Sequence, residues 1–200
     1  MKRLLFNVAA LMLLTAAVGF AQQRMVDVEI GVMRVSDGEV DRLKANDEVN
    51  VGDQLRVIVE PSSEYYVYVV YSDHATSMLL NSESSQRKVT GGKKLQLPSA
   101  NEFYVLDDKS STANISVIVS EEKVDDVENI FKSKDEVAKF DWSLAEMKLD
   151  KKSKANVFNK TDKAVNMGGN VRATNTQTIE LQRFTGMGVV MRKYNLDVLK

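Results

Sequence analysis

The chain has no cysteine, one histidine, two prolines and one tryptophan in 200 residues. Without cysteine there is no disulfide framework, thiol nucleophile, iron–sulfur cluster or cysteine-ligated zinc. With His74 as the sole histidine, one chain cannot build a multi-histidine metal site, and a Ser-His-Asp triad has a single candidate base. An excess of positive charge is missing too. Lys and Arg number 27 against 28 Asp and Glu, which argues against nucleic acid as the main partner. What is present is ordinary for a globular domain: 44% apolar and 28% charged residues, with length enough for one sizeable core.

The first 21 residues read as an address. Lys2 and Arg3 precede an apolar run from Leu4 to Val18, interrupted by Asn7 and Thr15, and Gly19-Phe20-Ala21 supplies small residues for cleavage. The run has 15 residues, short of the roughly 20 that span a bilayer. The expectation is a signal peptide over 1–21, cleaved after Ala21, and a mature domain over 22–200. No cysteine follows the run, so no lipoprotein anchor is available. Loss of Lys2 and Arg3 leaves 25 basic against 28 acidic residues, a net charge of −3. No second apolar segment of spanning length follows, so the expected location is periplasmic or extracellular with no integral membrane segment.

Period-two alternation dominates the middle of the chain. Val26, Val28, Ile30 and Val32 alternate with Asp27, Glu29 and Gly31, the pattern of a half-buried strand. Asn50-Val51-Gly52-Asp53 is a turn, and Leu55–Glu60 is a strand closed by Pro61. Tyr65–Ser72 is β-branched and aromatic on both faces, as expected of a central strand covered on two sides. Ser77–Leu80 pairs back onto it. Gly91-Gly92 is a second turn, and Lys93–Leu97, Phe103–Leu106 and Ile115–Val119 complete the set. Strands at such spacing predict a mainly β fold, an antiparallel sandwich of Ig-like or jelly-roll-like type.

After Ser120 the period lengthens. Val124, Val127, Ile130 and Phe131 share one helical face, with Ser120 as its expected cap. A second helical stretch places Val137, Phe140, Leu144 and Met147 on one side, with Trp142 nearby. Helical structure is therefore expected over about 121–149, as one or two helices packed on the β core. Residues 148–175 are polar and lysine-rich and read as an exposed linker. Ile179–Phe184 and Met187–Val198 read as a closing hairpin over about 178–198, turning at Thr185-Gly186.

Several short motifs occur in a characteristic order. Val51-Gly52-Asp53-Gln54-Leu55-Arg56 precedes the Tyr-rich run Tyr66–Asp73, then Gly91-Gly92-Lys93, Leu97-Pro98 and Ile115–Glu121. In this order the stretch 49–130 resembles the bacterial domain-of-unknown-function family DUF 4384. His74-Ala75-Thr76 stands where that family usually has a Gly-bearing turn, and Leu80-Asn81-Ser82 lacks its Pro. The resemblance implies an all-β, sandwich-like domain in exported or surface proteins. It implies no catalytic residues.

The candidate chemistry is sparse. Ser72-Asp73-His74 are neighbours in one turn and point apart, so His74 reads as a turn residue. Ser85/Lys88 and Ser120/Lys123 have the Ser-x-x-Lys spacing of acyl-enzymes but lack the companion motifs. Asp125, Asp126, Glu128, Asp135 and Glu136 lack the spacing of a calcium loop and read as a solvated face. Gly186-Met187-Gly188 is a lone Gly-x-Gly, read as a turn. No catalytic residue, metal ligand or cofactor motif emerges.

Two binding candidates remain. Four of the six tyrosines lie within Tyr65–Tyr71, and on a strand Tyr66 and Tyr68 share one face while Tyr65 and Tyr71 share the other. That split favours core packing, and Tyr66 and Tyr68 are the candidates for an exposed, ligand-stacking face. Lys151, Lys152 and Lys154 are the candidates for an anionic surface. The expected function is an exported, non-catalytic accessory or adaptor domain that binds another envelope protein or an extracellular ligand. The alternatives are a carboxylate-based extracellular hydrolase and a purely structural envelope component.

Overall fold

The alternating stretch at Val26 begins a long strand that is buried along most of its length. In the computed structural model, which describes residues 24–166 except 37 and 100, and residues 178–200, β1 is Met25–Ser36. It is followed by β2 (Glu39–Arg42), β3 (Glu48–Asn50), β4 (Gln54–Pro61), β5 (Tyr65–Ser72) and β6 (Thr76–Leu79). A single-turn helix α1 (Ser84–Arg87) leads into β7 (Lys88–Val89), β8 (Leu95–Leu97), β9 (Tyr104–Val105) and β10 (Thr112–Ser120). Then come α2 (Asp125–Ile130), β11 (Glu136–Ala138), α3 (Lys139–Asn156), β12 (Val157–Asn166), β13 (Thr178–Met187) and β14 (Val189–Leu199).

The described strands form two sheets. The first has the order β12-β13-β1-β4-β8, with β2 added on β1 and β9 on β4. The second has the order β11-β6-β5-β10-β14-β3, with β7 added on β5. All pairings are antiparallel except β14 with β3. Central strand β5 is hydrogen-bonded to β10 in register from Asn114↔Ser72 to Ser120↔Tyr66, and to β6 on its other side.

The sheets pack face to face, as the alternation predicts. Val26, Val28, Ile30 and Val32 of β1 and Leu55, Val57 and Val59 of β4 meet Val67 and Val69 of β5 and Ile115, Val117 and Val119 of β10. Each fully buried aliphatic side chain contributes on the order of 1.5–3 kcal/mol. The second sheet also carries an apolar outer face, because β5 is apolar on both sides. Tyr68, Val70, Ile118, Val189 and Met191 there are covered by Val127 and Phe131 of the α2 region and by Trp142, Ala145 and Leu149 of α3. The result is three layers: sheet, sheet and helices.

Two turns follow from their sequences. Gly52 has φ +92°, and the Asp53 carboxylate accepts from Asn50 N at 2.8 Å. Asp73 ends β5 as its carboxylate accepts from Ala75 N and Thr76 N, both at 2.7 Å. Burial alone would raise the Asp73 carboxyl. The two backbone donors, together with the nearby charges of His74 and Lys139, outweigh that and hold it below its ordinary value.

Four expectations are corrected. Residues 148–166 are not a linker: α3 runs to Asn156, and β12 pairs with β13 from Val157↔Gly186 to Asn166↔Thr178. The sequence of β12 runs polar from Asn159 to Lys163, without the alternation that marks a strand. Residues 167–175 of the expected linker lie outside the described residues, as does the leader over 1–21.

β13 and β14 do not form a hairpin. The chain crosses from one sheet to the other at Gly188, φ +70°, so β13 pairs with β1 and β14 with β10. Ser120 caps no helix, because α2 starts after Val124 and the Ser120 hydroxyl donates to Gly188 O at 3.2 Å. Finally, α3 is rotated relative to expectation. Its buried side is Trp142, Ala145 and Leu149, while Phe140, Leu144 and Met147 face solvent.

Candidate functional site

The tyrosine row divides as its alternation requires, but Tyr68 does not lie on an exposed face. Tyr65 points into the inter-sheet core and its hydroxyl donates to Met25 O at 3.0 Å. Tyr66 and Tyr68 point to the other side, where the α2 and α3 layer covers them. Tyr68 is 0% exposed. Its hydroxyl donates to Glu128 Oε1 at 2.9 Å and accepts from Val124 N at 3.3 Å, and Arg87 Nη1 lies 2.6 Å from Glu128 Oε2. Burial, first of all, pushes the Tyr68 hydroxyl pKa well up. Tyr68 is thus a tie between β5 and α2. Tyr66 is half-buried and packs against the same cluster.

The lysines separate. Successive residues on a helix point about 100° apart. Lys151 is exposed on the solvent side of α3, Lys152 lines a cleft beside it, and Lys154 belongs to α3 with its side chain outside the described residues. The cleft, about 740 Å³, lies between the β10–α2 connection and α3. Glu121, Glu122, Asp125 and Asp126 line one wall, Lys148 and Lys152 the other, and Arg24 closes one end with an ion pair to Glu121 at 3.5 Å. Opposite charges on facing walls compensate each other, so the cleft presents no surface of one sign.

The remaining candidates stay apart. His74 is exposed in the β5–β6 turn. Ser85 lies in α1, where Lys88 opens β7 and pairs with Glu64 at 2.7 Å. Gly188 occupies the sheet-to-sheet corner. Among the described residues no group of three His, Asp or Glu is placed to hold a metal ion, and no helix is long and apolar enough to cross a membrane.

The feature that stands out is the outer face of α3. The helix is fastened to the second sheet by polar ties as well as by its apolar side. The Ser116 hydroxyl donates to Glu146 Oε1 at 2.7 Å, and Lys193 Nζ lies 3.3 Å from Glu146 Oε2. Buried Ser153 accepts from Met191 N at 2.7 Å and donates to Met191 O at 3.3 Å. Lys139 Nζ donates to Asp73 O at 2.6 Å at the other end. Trp142 packs at 5.8 Å, ring centroid to centroid, on Phe131.

With its inner face so occupied, α3 still presents Phe140 at 74%, Leu144 at 53% and Met147 at 57% exposure. These positions repeat as i, i+4 and i+7, one stripe along the helix. Scattered single apolar residues on a surface are normal, but a contiguous row on a rigid element marks an interaction site. The sequence carried the spacing of this stripe and offered no means of telling which apolar side of the helix faces inward. Comparison of the chain with protein-family models, curated proteins and solved structures finds no match.

Proposed function

We propose that the protein is an exported, non-catalytic module of the bacterial envelope or its surroundings that docks onto another protein through the outer face of α3. The observation that carries this reading is the Phe140–Leu144–Met147 stripe, held on a helix whose other side is already packed and bolted to the sandwich. A fold that needed α3 only as a cover would have a polar outer face. The export signal read at 1–21 and the resemblance of 49–130 to an exported domain family support the same reading.

The test is a photo-crosslinking residue placed at Leu144, with Asp108 on an exposed loop as control. The reading expects a discrete protein adduct from position 144 and none from 108 when the protein is expressed and exported in its host. No adduct from 144 under those conditions would remove the reading.

A further inference from the structure

We infer that the chain docked on α3 is a second copy of this protein, with the two α3 helices packed antiparallel across a two-fold axis. This rests on the docking reading above and names its partner. The stripe is self-complementary. Phe140, Leu144, Met147 and the exposed Lys151 repeat with spacings of four, three and four residues. That is the seam of a left-handed helix pair. A dyad passing between residues 145 and 146 sets Leu144 against Met147 of the second copy, and Phe140 against its Lys151. The latter is a cation over an aromatic face.

The charges beside the stripe agree with the same axis. Asp141 and Lys148 lie on one flank of the seam, both exposed; Lys148 also borders the cleft below the acidic β10–α2 connection, but neither residue is ion-paired to a described residue of its own chain. Two-fold symmetry brings each flank against its own copy. The dyad places Lys148 of the second copy at the height of residue 143, two positions from Asp141, or about 3 Å along the axis. Each interface therefore holds two Asp141–Lys148 pairs. In a parallel pair that flank would instead face the opposite one, which carries Ser143 and Asp150, and the Asp141–Lys148 pairs would not form.

The size of the patch sets the strength. Three side chains and their flanks cover a few hundred Å² on each copy, on the order of the weak and transient class of interfaces. The pair is thus a weak, concentration-dependent dimer, in the micromolar range or weaker.

Sedimentation equilibrium of the purified protein across that range tests it. The expected result is a monomer–dimer equilibrium, abolished by Leu144→Asp, whose circular dichroism and melting remain those of the parent because position 144 is exposed. Asp141→Lys and Lys148→Asp each weaken the dimer about tenfold at low salt, and the double reversal in one chain restores it. Restoration is specific to a pair in which both members come from the same sequence. A protein that stays monomeric at every concentration, or a double reversal no better than either single one, overturns the self-pairing. If that monomer still gives a Leu144 adduct to a different protein, the docking reading survives without it. If it gives no adduct, both fall.

Discussion

Removing one oxygen from Tyr68 separates a structural tyrosine from a ligand-stacking one. In Tyr68→Phe the ring stays in place, among Val127, Phe131 and Trp142. What is lost is the hydroxyl that donates to Glu128 at 2.9 Å and accepts from Val124 N at 3.3 Å. Glu128 keeps Arg87 at 2.6 Å, so its charge remains paired. The Val124 N–H loses its acceptor at the start of α2. A hydrogen bond to a charged group is worth about 1.5–3 kcal/mol, and the retained ion pair places this loss near the lower half, about 2 kcal/mol. For a chain of this size that lowers Tm by about 4–8 °C. Urea and thermal unfolding followed by circular dichroism measure it, with Tyr66→Phe as control, expected within about 0.5 kcal/mol of the parent. A Tyr68→Phe protein melting within about 1 °C of the parent would refute the β5–α2 tie.

Three further outcomes follow from the same geometry. Stability should hold up to about pH 10 and fall as pH rises beyond it. Burial raises the folded-state hydroxyl pKa of Tyr68, and of Tyr194 to about 12, so the unfolded chain releases protons that the folded one keeps. That costs about 1.4 kcal/mol per pH unit for each tyrosine, measured by urea unfolding at pH 9 to 11, and Tyr194→Phe should flatten the slope. Ser153→Ala leaves the buried Met191 N–H of β14 without its acceptor, and should cost about 1–3 kcal/mol in chemical denaturation. Gly91→Ala pushes a methyl to 2.7 Å from Ser62 O and Ser63 Cα, backbone atoms with little room to yield, and should cost about 1–3 kcal/mol in the same assay.

How far the fold is legible depends on whether a strand touches one apolar layer or two. Val26 to Val32 alternate cleanly because one side meets the inter-sheet core, and β5 is apolar throughout because it lies between that core and the helices. Both are readable from the sequence. β12 is not, because it ends its sheet at an edge and a polar edge strand looks like a loop. The partner of β14 is equally hidden. Thr185-Gly186 has the chemistry of a hairpin, but the positive φ falls at Gly188, two residues on, and turns the chain into the other sheet. Tyr66 and Tyr68 share a face, as alternation requires. Only the third layer decides that this face is covered.

The two sides of α3 pose the same ambiguity at the site. Trp142, Ala145 and Leu149 repeat at i, i+3 and i+7, while Phe140, Leu144 and Met147 repeat at i, i+4 and i+7. Either set satisfies the helical period, so periodicity alone has two solutions half a turn apart. Polar residues break the tie. Glu146 and Ser153 lie on the tryptophan side, where Ser116, Lys193 and the Met191 backbone await them. Asp141, Lys148 and Lys151 surround the phenylalanine side and find nothing comparable among the described residues. The inner face of α3 is therefore selected by hydrogen-bond partners on β10 and β14, more than by hydrophobicity. Its outer face, no less apolar than the inner one, is left over after the fold is complete. A row of large apolar side chains that folding does not use is the feature that docking to another protein chain explains.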